Sequence, residues 1–126
     1  MEEFITIKEA ASIVNLPTHT VRYYEQEGLL HPIKRDGNGN RLFTADDIEW
    51  LKFICCLRET GMSISEMKKF VAFYSSGDPS MEKRMKILCD HKEALLKKIK
   101  EMNSLLDKIN NKIQWYDMQR KKYLNK

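Results

Sequence analysis

The last third of the chain contains no glycine and no proline, and this feature constrains the fold more than any other. After Ser80 nothing in the sequence interrupts a helix. Apolar residues recur there in alternating steps of four and three, the spacing of a heptad seam, at Leu95, Ile99, Met102, Leu106, Ile109, Ile113 and Tyr116. Because this segment holds no second element that could cover the seam, another copy of the chain is expected to do so. The tail therefore predicts a coiled-coil homodimer, with packing against the chain's own head as the alternative, and the spacing leaves parallel and antiparallel pairing open.

The first 30 residues carry the start and stop signals of two short helices. A capping box that begins at Thr6 predicts a helix from about Ile7 to Val14. A proline then breaks the pattern, Thr18 is expected to cap a second helix, and Gly28 is expected to end it. Two short helices joined by so tight a turn are typical of a helix-turn-helix.

The second of these helices presents a face of hydrogen-bond donors. Val21 and Tyr24 are expected to face the core, whereas the opposite face carries His19, Arg22, Tyr23 and Gln26. Arginine can bind a phosphate or a guanine edge, and tyrosine and histidine add hydroxyl and imidazole contacts. The pattern indicates a helix that enters the major groove of DNA, although an ordinary solvated face would have the same spacing.

A β-hairpin is predicted after the second helix. Strands are expected at residues 33–35 and 40–43, and the turn residues between them tolerate positive φ. Lys34, Arg35 and Arg41 would then lie where a wing reaches the DNA backbone. A phosphate-cradling loop of an enzyme is the less favoured reading, because this turn lies between strands, opens no helix and lacks a Walker lysine.

Two further helices and a linker complete the head. The third helix is expected to begin after Thr44 and to stop at Gly61, and a second helix-turn-helix follows through a capping box that begins at Ser63. The only linker-like stretch is Ser-Ser-Gly-Asp-Pro at residues 75–79. The expected fold is mainly α. A winged helix-turn-helix DNA-binding domain with a small β-hairpin wing occupies residues 1–76, and a linker with a long dimerisation helix occupies residues 77–126.

Charge and composition exclude several other classes of protein. The net charge is +4, but residues 1–75 hold nine Lys and Arg against eleven Asp and Glu, so DNA binding by the head must depend on where individual charges lie. No apolar run approaches the roughly 18 residues of a membrane span. Three cysteines without a CxxC spacing or a signal peptide indicate a reducing cytoplasm. The three histidines are scattered and no nucleophile has a base beside it, so neither an enzyme nor a cofactor is expected.

Together these stretches resemble the signature of the MerR family of bacterial transcription regulators. The match covers Thr-Val-Arg-Tyr-Tyr-Glu at residues 20–25, the Gly-Leu-Leu and proline of residues 28–32, the hairpin end at residues 39–43, and Gly-Met-Ser-Ile at residues 61–64. One departure is Asn40, where many members carry tyrosine. The resemblance implies an antiparallel coiled coil and a homodimer that binds a near-palindromic promoter site. It also implies that the bound DNA is bent and untwisted so that RNA polymerase engages both promoter elements. This deformation of the DNA costs on the order of several kcal/mol.

The resemblance also assigns DNA contacts by position. Arg22, Tyr23 and Arg41 match the family motif most closely, and Lys34 and Arg35 follow as phosphate contacts of the wing. The promoter DNA, a second copy of the chain and RNA polymerase are therefore the implied partners.

The segment around Cys56 resembles the thiol-bearing, aldehyde-responsive subgroup of the family. Cys56 corresponds to the single cysteine of that subgroup, which implies a thiol sensor in a stress response. Lys52, one helical turn earlier, is expected to favour the thiolate, whereas Cys55 is expected to pack in the core. Two alternatives remain open. In the first, the effector would be another small molecule or a metal, although Cys89 and His91 do not form a closed set of metal ligands. In the second, the chain would be a coiled-coil interaction module that does not bind DNA.

Overall fold

A computed structural model describes residues 3–75 and 80–125, with the side chain of Ser75 excepted. Along the chain lie α1 (Ile7–Ile13), α2 (Thr18–Gln26), β1 (Lys34–Arg35), β2 (Arg41–Leu42), α3 (Ala45–Glu59), α4 (Ile64–Ser75) and α5 (Met81–Leu124). The two strands form an antiparallel hairpin. The chain is therefore mainly helical with a small β-hairpin wing, as predicted, although both strands are shorter than expected. Met1–Ile87 and Leu88–Lys126 form separate compact units.

Side-chain caps explain where two of the helices begin. The Thr6 hydroxyl accepts a hydrogen bond from the Glu9 amide, and the Glu9 carboxylate returns to the Thr6 amide, which confirms the predicted capping box. Thr44 and Asp47 form a second box at the start of α3. Such caps contribute about 1 kcal/mol each, because they satisfy amides that the helix leaves without partners.

The prediction that Thr18 caps α2 is wrong. The N-cap is Pro17, which makes no side-chain hydrogen bond, and Thr18 is the first helical residue. Proline's ring holds φ near the value that a helix entry needs, and its extended ψ of 150° lets the helix start at the next residue. Backbone geometry thus replaces the hydroxyl cap at this position.

Residues with positive φ end three of the helices. Gly28 has a φ of +75° and Gly61 a φ of +97°, as expected for glycines that follow helices. Asn15 has a φ of +57° after α1, and the Leu16 amide donates to the Ala11 carbonyl at 2.9 Å. Asparagine is among the few residues that adopt this conformation readily, so the tight turn between α1 and α2 needs no glycine.

The core of the head is centred on α3, which contributes five buried residues. The other buried apolar residues of the head come from α1, α2, α4 and the connecting segments. The N-terminal segment joins the wing to this core, because the Ile5 and Phe43 backbones exchange two hydrogen bonds of 2.9 Å and the Phe43 side chain is buried. The buried apolar residues are Ala10, Ala11, Val21, Tyr24, Leu29, Phe43, Ile48, Leu51, Ile54, Cys55, Leu57, Met62, Met67, Phe70 and Val71.

The long helix α5 begins against the head and continues as a separate unit. Its first turns place the Arg84 guanidinium 4.8 Å from the centre of the Tyr74 ring and the Lys83 ammonium 5.4 Å from that of Phe73. Its 44 residues correspond to about 66 Å of helix. No described residue of α5 is buried, and most of the predicted seam is exposed in the single chain. The linker prediction at residues 76–79 lies outside the described residues.

No helix in the described ranges combines the length and the apolar character needed to cross a membrane.

Candidate nucleic-acid interface

The donor-rich face of α2 lies on the surface, as its spacing predicts. His19, Arg22, Tyr23 and Gln26 are all exposed. Val21 and Tyr24, on the opposite side, are almost fully buried. Burial raises the pKa of the Tyr24 hydroxyl, and the nearby Cys55 and Glu59 add to that shift. The helix is therefore anchored by one side and free to contact a large partner with the other.

Contacts from α3 and α4 fix the C-terminal end of α2. The Lys68 ammonium of α4 pairs with the Glu27 carboxylate, and this hydrogen bond raises the pKa of Lys68. The Trp50 indole donates to the Leu29 carbonyl at 2.8 Å. Both contacts restrain the chain as it leaves α2, so the direction of the helix is set by the core.

The wing closes around Asp36. One carboxylate oxygen of Asp36 accepts hydrogen bonds of 2.9 Å from the amides of Asn38 and Asn40. The bond from the Asn40 amide is the main cause that lowers the pKa of Asp36. Gly39 completes the turn with a φ of +82°. The Asn40 side chain also donates to Asp36 at 3.4 Å, so the residue that departs from the family pattern helps to hold the turn.

Two wing arginines converge on a residue that the sequence reasoning missed, Glu25 of α2. The Arg41 Nε lies 2.9 Å from Glu25 Oε1, and a terminal nitrogen of Arg35 lies 3.3 Å from the same oxygen. Arg35 also donates to the Gly39 carbonyl at 3.0 Å. The carboxylate at the end of the stretch Thr-Val-Arg-Tyr-Tyr-Glu was the available signal, but its partners lie 10 and 16 positions further along the chain.

Helix α2 and the wing share one concave surface. Arg22 from the helix and Arg41 from the wing both line a cavity of about 260 Å³, together with Thr6, Ile7, Asp36, Gly39, Asn40 and Leu42. Lys34, on the wing, holds its ammonium 5.4 Å from the centre of the Phe4 ring. Of the predicted DNA contacts, Arg22 on the helix and Arg41 on the wing therefore line the same cavity.

The three cysteines occupy different environments. Cys55 is buried, and burial raises the pKa of its thiol, with a further contribution from Glu59. Cys56 and Cys89 are exposed. The adjacent positions thus separate as the helical wheel predicts. The Lys52 ammonium lies 3.1 Å from the Glu49 carboxylate, so this lysine already has a partner on α3. Within residues 3–75 and 80–125, no three His, Cys, Asp or Glu side chains are grouped to hold a metal ion.

Comparison with known families matches almost the whole chain. Residues 5–73 match the family described as MerR HTH family regulatory protein, and residues 48–111 match the family described as MerR, DNA binding. An uncharacterized HTH-type transcriptional regulator of Haemophilus influenzae is 34% identical over 111 residues, which is 88% of this chain and 82% of the relative. The HTH-type transcriptional regulator AdhR of Bacillus subtilis is 36% identical over 92 residues, or 73% of this chain and 66% of AdhR.

Solved structures show the same architecture. HiNmlR, described as a MerR family regulator lacking the sensor domain and bound to promoter DNA, superposes with a TM-score of 0.83 at 33% identity, over 93% of this chain and 91% of HiNmlR. A MerR family regulator from Listeria monocytogenes superposes with a TM-score of 0.84 at 34% identity, over 90% of this chain and 86% of that one. The relatives are transcriptional regulators and not enzymes. The winged head, the long helix and these matches together show that the chain belongs to the MerR family of DNA-binding transcriptional regulators.

Proposed function

We propose that the chain regulates transcription as a homodimer whose two heads bind promoter DNA through the exposed face of α2 and the wing. The observation that carries this proposal is the cavity that Arg22 of α2 shares with Arg41 of the wing. A helix and a hairpin that present cations into one concavity suit a DNA groove and the phosphates beside it. The structure of HiNmlR on promoter DNA supports the same use of this fold.

Each element of the surface has a distinct role in this proposal. The major groove is about 12 Å wide and admits α2, so Arg22, Tyr23 and the neighbouring His19 and Gln26 reach base edges or phosphates. Lys34 and Arg41 reach the backbone from the wing, where such contacts fix the register of the protein on the duplex, and Arg35 supports the wing beside them.

The seam of α5 supports the homodimer. Six of its seven apolar residues are between 48% and 67% exposed in the single chain, although they repeat with heptad spacing. A second α5 would remove this surface from water, and the antiparallel pairing of the family would place one head near each end. Because the two heads are linked, binding of one half-site raises the effective concentration of the second head at the other half-site. Bending of the intervening DNA then gives RNA polymerase access to both promoter elements.

The proposed effector is a small thiol-reactive aldehyde that acts on Cys56. The Cys56 thiol is exposed on α3, so an electrophile reaches it without unfolding the head. Its sulfur forms a bond to the carbonyl carbon, the carbonyl π bond breaks, and the thiol proton passes to the oxygen, which gives a hemithioacetal without any redox partner. The same helix is tied to the end of α2, because the Trp50 indole of α3 donates to the Leu29 carbonyl. A shift of α3 caused by the modification would therefore move the DNA-binding helix α2. In this way the regulator would respond to electrophile stress.

DNA binding is tested with an operator recovered by binding purified full-length protein to random DNA and sequencing the bound fraction. The affinity of this operator is then measured at several salt concentrations for the wild type and for Arg22→Ala. We expect Arg22→Ala to lose about 1–3 kcal/mol of specific binding if Arg22 reads a base. Arg120→Ala, which removes the same charge from α5, is the matched control. Equal affinities for all three proteins would refute the proposed interface.

A further inference from the structure

A single carboxylate connects the two parts of the DNA-binding surface. Glu25 is on α2, and its Oε1 accepts hydrogen bonds from Arg41 on β2 and from Arg35 on β1. The side chains of Arg41 and Glu25 are 18% and 22% exposed, whereas that of Arg35 is 46% exposed. The pair with Arg41 is thus the better shielded of the two, and solvent screens it less.

The two arginines use different nitrogens, and this difference separates their roles. Arg35 donates from one terminal nitrogen to Glu25 and from the other to the Gly39 carbonyl, so its guanidinium joins the turn of the wing to α2. Arg41 donates to Glu25 through Nε. Its side chain also lines the cavity that contains Arg22. A hydrogen bond at Nε fixes the orientation of the planar guanidinium and leaves its two terminal nitrogens to bind a phosphate in the cavity.

We propose that Glu25 is a positioning residue of the DNA interface: it locks the wing against α2 and orients Arg41 toward the same phosphate-binding cavity as Arg22. This inference rests on the proposed function, since it concerns the DNA surface described there. In it, Arg41 contacts DNA directly and Arg35 acts through the wing.

The direction in which Glu25→Gln changes operator affinity separates a positioning role from a purely electrostatic one. A carboxylate beside DNA repels phosphates, so its removal should strengthen binding if Glu25 contributed charge alone. A positioning role predicts the opposite. Glu25→Gln keeps the size of the side chain and removes one negative charge, yet operator affinity should fall because the wing and Arg41 lose their fixed arrangement.

The experiment compares operator and non-specific DNA binding of full-length wild type, Glu25→Gln, Glu25→Asp and Arg35→Gln. Each of the two ion pairs corresponds to a factor of about three, so Glu25→Gln should weaken operator binding about tenfold. Binding to non-specific DNA should be unchanged or slightly stronger. Glu25→Asp should recover part of the operator affinity. The matched control is Glu101→Gln, which removes the same charge from an exposed position of α5; it should change operator affinity less than about twofold.

The salt dependence of binding assigns the two arginines. Arg41→Gln should reduce the slope of log affinity against log salt by about one, and Arg35→Gln should leave the slope unchanged. Operator affinity that rises or stays constant in Glu25→Gln overturns the proposal, and so does an equal loss in Glu101→Gln. Thermal unfolding of each variant shows whether the head remains folded. An intact operator affinity in Arg22→Ala would instead reject the proposed interface, so the two failures are distinguishable.

Discussion

Replacing two residues of the α5 seam with alanine should dissociate the homodimer. Ile109 and Ile113 are 57% and 59% exposed in the single chain, so a partner helix has more than half of each side chain left to cover. Truncation to alanine removes three carbons, worth about 0.8 kcal/mol each when fully buried. Scaled to the surface that the partner can cover, each substitution costs about 1.4 kcal/mol. The double variant changes four sites in a dimer, for a total of about 5.6 kcal/mol or about a ten-thousandfold rise in the dimer dissociation constant.

Sedimentation across a concentration series measures this change directly. The wild type should remain a dimer at concentrations where Ile109→Ala/Ile113→Ala is monomeric, and operator affinity should fall with it because two half-sites are then bound independently. Lys97→Ala/Lys108→Ala changes exposed positions of the same helix outside the seam and is the matched control. An unchanged dimer in the isoleucine variant would refute the assignment of the seam, as would equal dissociation in the lysine variant.

Two other predictions concern the cysteines, and a third concerns the wing. In cells, formaldehyde should induce a promoter reporter with wild type and with Cys89→Ala but not with Cys56→Ala; full induction with Cys56→Ala would reject the sensor. In purified protein, iodoacetamide should modify Cys56 and Cys89 well before Cys55, because burial raises the pKa of the Cys55 thiol; mass spectrometry of the labelled peptides checks the order. The lowered pKa of Asp36 means that its carboxylate stabilises the wing above its ordinary pKa of about 4 and that this stabilisation is lost as pH falls through the lowered value. NMR signals of the Asn38 and Asn40 amides should report that loss, and their independence of pH in Asp36→Asn is the control.

Local chemistry made most of the fold predictable from the sequence. The capping box at Thr6 and the helix start at Thr44 depend on residues three positions apart, and the glycines at positions 28 and 61 act through their own φ. The burial of Cys55 beside an exposed Cys56 follows from the 100° rotation between adjacent helical residues. In each case the determining residues are neighbours in the chain, so spacing was sufficient.

The parts that could not be predicted depend on contacts between distant residues or on competing local choices. Glu25 meets Arg41 across 16 positions, and no periodic pattern marks such a pair. At α2, the sequence predicted Thr18 as the cap, and the backbone angles of Pro17 instead decided the start of the helix. The DNA contacts, the dimer and the sensing role of Cys56 with Lys52 involve molecules outside the single chain, and they stay predictions.

The central claim is that the exposed face of α2 lies in the major groove of each half-site of a dimer-bound operator. Gln26→Cys, in a chain that also carries Cys56→Ser and Cys89→Ser, provides a surface thiol on this face for a tethered iron-EDTA cleavage reagent, while buried Cys55 is retained. The account predicts two symmetric clusters of cleavage, about one helical turn apart or a multiple of it, centred on the half-sites. Diffuse cleavage, or a pattern equal to that of a reagent tethered to the native Cys89 thiol in a Cys56→Ser chain, would contradict it.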